Sequence, residues 1–150
     1  MSRDQASFMQ LALQEAEAAG ARGEIPVGAV VVRNDEVLAA RGNRTRELND
    51  MTAHAEVLAI RAAGERLATE RLGECDLYVT LEPCTLCAAA ISFARIRRLY
   101  YGAADPKGGG VDHGVRFFGA PTCHHAPEVY SGIGETAAAA LLRRFFGDRR

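Results

Sequence analysis

Two short stretches hold residue types that bind metals and move protons. Pro83-Cys84-Thr85-Leu86-Cys87 sets two thiols three positions apart, and His54-Ala55-Glu56 sets an imidazole two positions from a carboxyl. The chain has only four cysteines, so pairing half of them this closely asks for a use. A disulfide, a redox couple, a structural metal and a catalytic metal are the candidates. No span is long and apolar enough for a membrane and the first residues, with Asp4, Glu15 and Glu17, do not read as an export signal. The cytoplasm is therefore the expected compartment, and there thiols stay reduced. A stabilising disulfide is disfavoured.

If both stretches open helices, the metal reading sharpens. Cys84 and Cys87 at i and i+3 share one helix face. Near a helix N-terminus the dipole favours thiolates, the form that binds zinc. Should the two helix starts meet, His54, Cys84 and Cys87 supply three ligands, and tetrahedral Zn2+ keeps one position for water. That is the arrangement of a catalytic site. Glu56 lies about 200° round an ideal helix from His54, so both can serve one target only from the first turn. A carboxylate there can take a proton from water and pass it on.

The elements that must position these residues can be read along the chain. Met9, Ala12, Leu13, Ala16 and Ala19 mark one face of a first helix ending near Gly20–Gly23. Residues 27–33, rich in valine, form a strand, Asn34-Asp35 a turn, and 36–43 a returning strand. Thr52 is the expected cap of a helix over 53–63, and 76–80 form a short buried strand. Pro83 is expected at the first position of the next helix, where its missing N–H costs nothing. Residues 97–102 give a fourth strand, 128–132 a weak fifth, and 134–146 a last helix with Ala138, Leu141, Leu142 and Phe145 inward and Gly147 at its end. The stretch 103–127 reads as irregular, with a short helix near 111–118. The 150 residues make a single domain over 1–150, an α/β fold with a mixed five-stranded sheet and helices on both faces.

Charge adds a hint about partners. The net charge is −1, yet residues 95–150 hold nine Lys/Arg against five Asp/Glu, a local +4 that includes the terminal "RRFFGDRR". Such a patch can attract phosphate although the whole chain is neutral.

The two motifs together resemble the zinc-dependent cytidine/adenosine deaminase superfamily, whose signature is H-x-E followed by P-C-x-x-C. "EIPVGAVVV", "GNRT", "TAHAEVLAIR", "DLYVTLEPCTLCAAAI" and "RIRRLYYGAADPKGG" resemble, in order, the members of that family that act on tRNA. The resemblance implies a three-layer α/β/α cytidine-deaminase-like fold and one Zn2+ per subunit on His54, Cys84 and Cys87. It implies Glu56 as the catalytic proton carrier. It further implies hydrolytic conversion of the wobble adenosine of a tRNA anticodon stem-loop to inosine, by a homodimer. Asn43, Ala55, Leu81, Asp105, Lys107 and Phe146 are the substrate contacts it implies. Two alternatives stay open at this level. One is deamination of a free base or nucleoside such as guanine or cytosine. The other is a closed structural zinc site of Cys84, Cys87, Cys123 and His124 in a non-catalytic RNA-binding module.

Overall fold

A computed structural model describes residues 5–148. Asp4 and the terminal Arg149 and Arg150, all used above as sequence signals, lie outside the described residues. The element order is α1 (Gln5–Ala21), β1 (Gly28–Arg33), β2 (Glu36–Gly42), α2 (Ala55–Leu67), β3 (Asp76–Leu81), α3 (Thr85–Phe93), β4 (Arg98–Ala103), a 3-10 turn (Phe117–Gly119), β5 (Glu128–Tyr130) and α4 (Glu135–Asp148). The strands lie in the order β2-β1-β3-β4-β5. β1 is antiparallel to both neighbours, while β3, β4 and β5 run parallel.

Alternation along the strands builds two cores. Val31, Leu77, Val79 and Leu99 face one way and meet Ala55, Ala59 and Ala63 of α2 and Ala88 and Ile91 of α3. Val30, Val32, Tyr78 and Tyr100 face the other way and meet Phe8, Met9, Ala12 and Leu13 of α1 and Ala138 of α4. This two-sided burial makes the expected three-layer sandwich. Every residue of the inward stripe read for α1 is buried.

Local chemistry sets the joints. Asn34 and Asp35 both take positive φ, 50° and 64°, as a tight hairpin turn requires. Gly28 faces Gly42 across the hairpin. A Cβ on Gly28 would stand 2.0 Å from the Ala12 carbonyl oxygen, so glycine is what lets α1 lie directly on the sheet.

Four boundaries differ from the sequence reading. The α2 cap is His54, not Thr52. The Thr52 hydroxyl and N–H both donate to Asp50 Oδ1 instead. α3 begins at Thr85 with Cys84 as its cap, so Pro83 precedes the helix, its carbonyl accepting from Gly110 N–H. The expected helix at 111–118 is only the 3-10 turn Phe117–Gly119, since Gly114 and Arg116 take positive φ, 59° and 47°, which a right-handed helix cannot accommodate. Gly147 does not end α4, which continues to Asp148.

Candidate metal centre and active site

α2 and α3 start side by side at the end of β3. Both N-caps are unusual. His54 and Cys84 have extended backbone, ψ 152° and 179°, and neither side chain caps its own helix. The imidazole and the thiol are thereby free to turn toward each other. For α2 the cap is supplied from elsewhere: Asn43 Oδ1 accepts the Ala55 N–H at 2.8 Å.

His54 Nδ1 lies 3.2 Å from Cys87 Sγ and 3.6 Å from Cys84 Sγ. The three donor atoms fall within 4.8 Å of one another, the tight cluster expected of a metal site among the described residues. Zinc bonds of about 2.3 Å to sulfur and 2.0–2.1 Å to nitrogen, opened to a tetrahedral angle, separate N from S by roughly 3.6 Å. The donor set and its spacing fit Zn2+. Without metal the two thiols behave as a pair. The Cys87 thiol donates to Cys84 and, against the opposing effect of burial, pulls it down to about 4, while that same bond and burial push Cys87 up. Cys84 is thus a ready thiolate. The Cys84 sulfur raises His54 above its ordinary value, burial opposing.

Glu56 is 4% exposed and opens into the same cavity, of about 220 Å³. Burial pushes its carboxyl up to about 7. Its own backbone N–H and His54 oppose that shift, and the Cys84 charge adds to it. A buried carboxyl with that affinity for protons suits proton transfer at neutral pH.

Cys123 is not part of the cluster. Its thiol donates to the His125 carbonyl at 3.1 Å and sits beside the Ser92 hydroxyl. His125 bonds the Ile96 carbonyl through Nε2. The closed four-ligand site considered above is therefore overturned: three donors converge, and the fourth direction opens on the cavity.

Comparison with known sequences now decides the lineage. Residues 2–103 match the family described as the cytidine and deoxycytidylate deaminase zinc-binding region. The chain belongs to this deaminase family. It is 67% identical over 143 residues to the tRNA-specific adenosine deaminase of Agrobacterium fabrum, covering 95% of this chain and 94% of that one. It is 40% identical over 144 residues to the enzyme of the same name from Bacillus subtilis, covering 95% and 89%. Among solved structures it superposes at TM-score 0.91, with 67% identity and 92% and 100% coverage, on one described in a study of A-to-I editing by tRNA:A34 deaminases at the tRNA wobble position. A guanine deaminase from Nitrosomonas europaea matches at TM-score 0.84 and 25% identity, covering 98% and 86%.

In this deaminase, Asn43, Leu81 and Asp105 line the metal cavity along with Ile25, Val27 and Gly108. A second cavity of about 460 Å³ shares Ile25, Leu81, Asp105 and Gly108 and continues to Lys107, Leu142 and Phe146. Five of the six substrate contacts named from sequence thus flank one continuous hollow. Ala55 does not line it: it is fully buried, and its N–H is spent on Asn43. Sequence reasoning missed Ile25, Val27, Gly108 and Leu142, whose apolar or absent side chains carry no chemical signal.

The structure also pairs His113 Nδ1 with Glu82 Oε1 at 2.7 Å, and Glu82 Oε2 accepts the N–H groups of Val111, Asp112 and His113, so this carboxylate serves a loop and not a helix.

Proposed function

We propose that this chain is a zinc-dependent hydrolase converting adenosine to inosine at the wobble position of tRNA anticodons. The observation that carries the reading is the open three-donor centre with Glu56 at the floor of a hollow that runs on to Lys107 and Phe146. A free base needs only the floor. The extension suits a strand whose flanking nucleotides lie beside the flipped one.

Zinc on His54, Cys84 and Cys87 supplies a Lewis acid that makes water nucleophilic at neutral pH. The rest is the work of the chain. Glu56 accepts the proton of the attacking water and passes it to N1 of adenine. The water oxygen bonds C6. The same carboxylate then takes the proton of the new C6 hydroxyl and delivers it to the amino group; the C6–N bond breaks, ammonia leaves, and inosine remains with a carbonyl at C6. Asn43, its Oδ1 fixed on Ala55 N–H, keeps its Nδ2 donors for acceptors on the base. Leu81 walls the base. Lys107 offers its ammonium to a phosphate and Phe146, half exposed, a stacking face to a neighbouring base. Asp105 holds the loop bearing Lys107 by accepting Lys107 N–H and Gly108 N–H. Ala55 acts through its backbone on Asn43. A homodimer in the cytoplasm completes the reading. No helix among the described residues is long and apolar enough to cross a membrane.

The likeness to a guanine deaminase favours a second reading, deamination of a free base on the same floor. The test offers the zinc-loaded protein an anticodon stem-loop, free adenosine and free guanine, and follows ammonia. Inosine in the stem-loop, suppressed by rising salt, supports the RNA reading. Turnover of guanine with no action on RNA overturns it.

A further inference from the structure

Glu82 sits directly ahead of Pro83 and Cys84 and borders the metal cavity, yet its carboxylate bonds the segment 105–113 and none of the metal donors. Its side chain is fully buried. Oε1 accepts Asp105 N–H at 3.0 Å and His113 Nδ1 at 2.7 Å. Oε2 accepts the N–H groups of Val111, Asp112 and His113 at 3.2, 2.9 and 3.1 Å. One carboxylate thus gathers both ends of the segment 105–113. The middle of that segment presses on the metal helix. Gly110 N–H donates to the Pro83 carbonyl at 2.8 Å, and a Cβ on Gly110 would stand 2.7 Å from Thr85 N. Gly109 passes so close to the carboxylate that its Cβ would lie 2.4 Å from Oε2.

We propose that Glu82 is a positioning residue for substrate. Its carboxylate fixes the register of 105–113 against the start of α3, and that register sets Asp105, Lys107 and Gly108 along the walls of the hollow. The inference rests on the RNA reading above and names a residue that reading did not use. The chemistry calls for a carboxylate. Every contact is an N–H pointing at an oxygen, and both oxygens are used. An amide has one accepting atom only. In Glu82→Gln the NH2 group must face either three backbone donors or Asp105 N–H and His113. Neutral His113 can present a lone pair to it, but Asp105 N–H cannot, so the Asp105 end of the loop loses its anchor.

Two variants test this. Glu82→Gln removes an acceptor, and Gly109→Ala keeps the carboxylate but pushes the loop off it. Measured on the zinc-loaded proteins, both should keep full zinc content. Both should raise KM for an anticodon stem-loop at least tenfold while kcat changes less than about threefold. Amide hydrogen exchange at Asp105 should lose its protection in both. A role confined to stability would lower the active fraction, and so kcat, at unchanged KM. That pattern overturns the proposal, as does wild-type exchange at Asp105 in Glu82→Gln. Should the wild-type protein fail to deaminate the stem-loop, the functional reading falls by itself, and the exchange measurement alone then decides whether Glu82 anchors the loop.

Discussion

Replacing Glu56 by glutamine separates chemistry from architecture. The side chain is 4% exposed, so an amide of the same shape fills the same space. Burial already works against the carboxylate, holding its proton up to about 7. Exchanging it for a neutral group removes that penalty, and the folded chain should be as stable as the wild type or more so. The amide cannot accept and return protons. Positioned proton transfer contributes about 10²–10⁴-fold. At about 1.36 kcal/mol per decade, the barrier should rise by roughly 2.7–5.5 kcal/mol. The assay combines single-turnover deamination of a stem-loop, zinc content by elemental analysis and thermal unfolding. The expected result is a rate at least 100-fold lower, unchanged zinc and an equal or higher Tm. A rate within a few fold of wild type would remove Glu56 from the mechanism, and loss of zinc would make it a ligand.

The same structure carries three further expectations. Cys84→Ser or Cys87→Ser should abolish tight zinc binding, whereas Cys123→Ser should leave zinc at one per chain, because Cys123 serves the His125 carbonyl; elemental analysis separates the two. Gly28→Ala drives a Cβ from 2.0 Å to an ordinary 3.4 Å from the α1 backbone only if the helix retreats; overpacking of this kind costs about 1–3 kcal/mol, read as a Tm fall of several degrees with zinc binding retained. Glu24 has its carboxyl held below its ordinary 4.5: burial would raise it, but the N–H groups of Glu47 and Arg46, the Thr45 hydroxyl and the Arg22 guanidinium outweigh that. A lowered folded value means its contribution is complete above about pH 4.5 and is lost as pH falls through the folded value, so Glu24→Gln should flatten the acid limb of the denaturation midpoint against pH.

The sequence made the metal donors legible because their side chains do the work themselves. Histidine and paired cysteines at helix starts have few other uses, and His54, Cys84 and Cys87 converge as read. The strands were equally visible, since β-branched runs such as 27–33 are bounded by turn residues. What stayed hidden depends on backbone groups, which every sequence carries alike. Nothing in Glu82 announces that four distant N–H groups and His113 will point at it. The misplaced helix starts have the same origin. Thr52 is a good cap by type, but Asp50, two residues back, takes its hydroxyl. Pro83 suits a first helical position by type, but Gly110, brought in by the loop, takes its carbonyl first.

The placement of both metal-bearing caps explains why the site needs so much help from outside its helices. A cap side chain usually satisfies an unpaired helix N–H, and losing it costs about 1 kcal/mol. His54 and Cys84 withdraw from that duty, since a ligand aimed at an ion cannot also fold back on its own helix. For α2 the debt is met by Asn43, which reaches Ala55 N–H from the end of the hairpin. For α3 the preceding segment is pinned instead: Glu82 N–H donates to the Ala103 carbonyl, and the Pro83 carbonyl accepts Gly110 N–H. The residues that steady the two helix starts are therefore residues that border the hollow. Asn43 lines it directly, and Glu82 sets the loop that forms its far wall. The physical requirement of freeing two ligands thus couples the metal centre to the substrate walls.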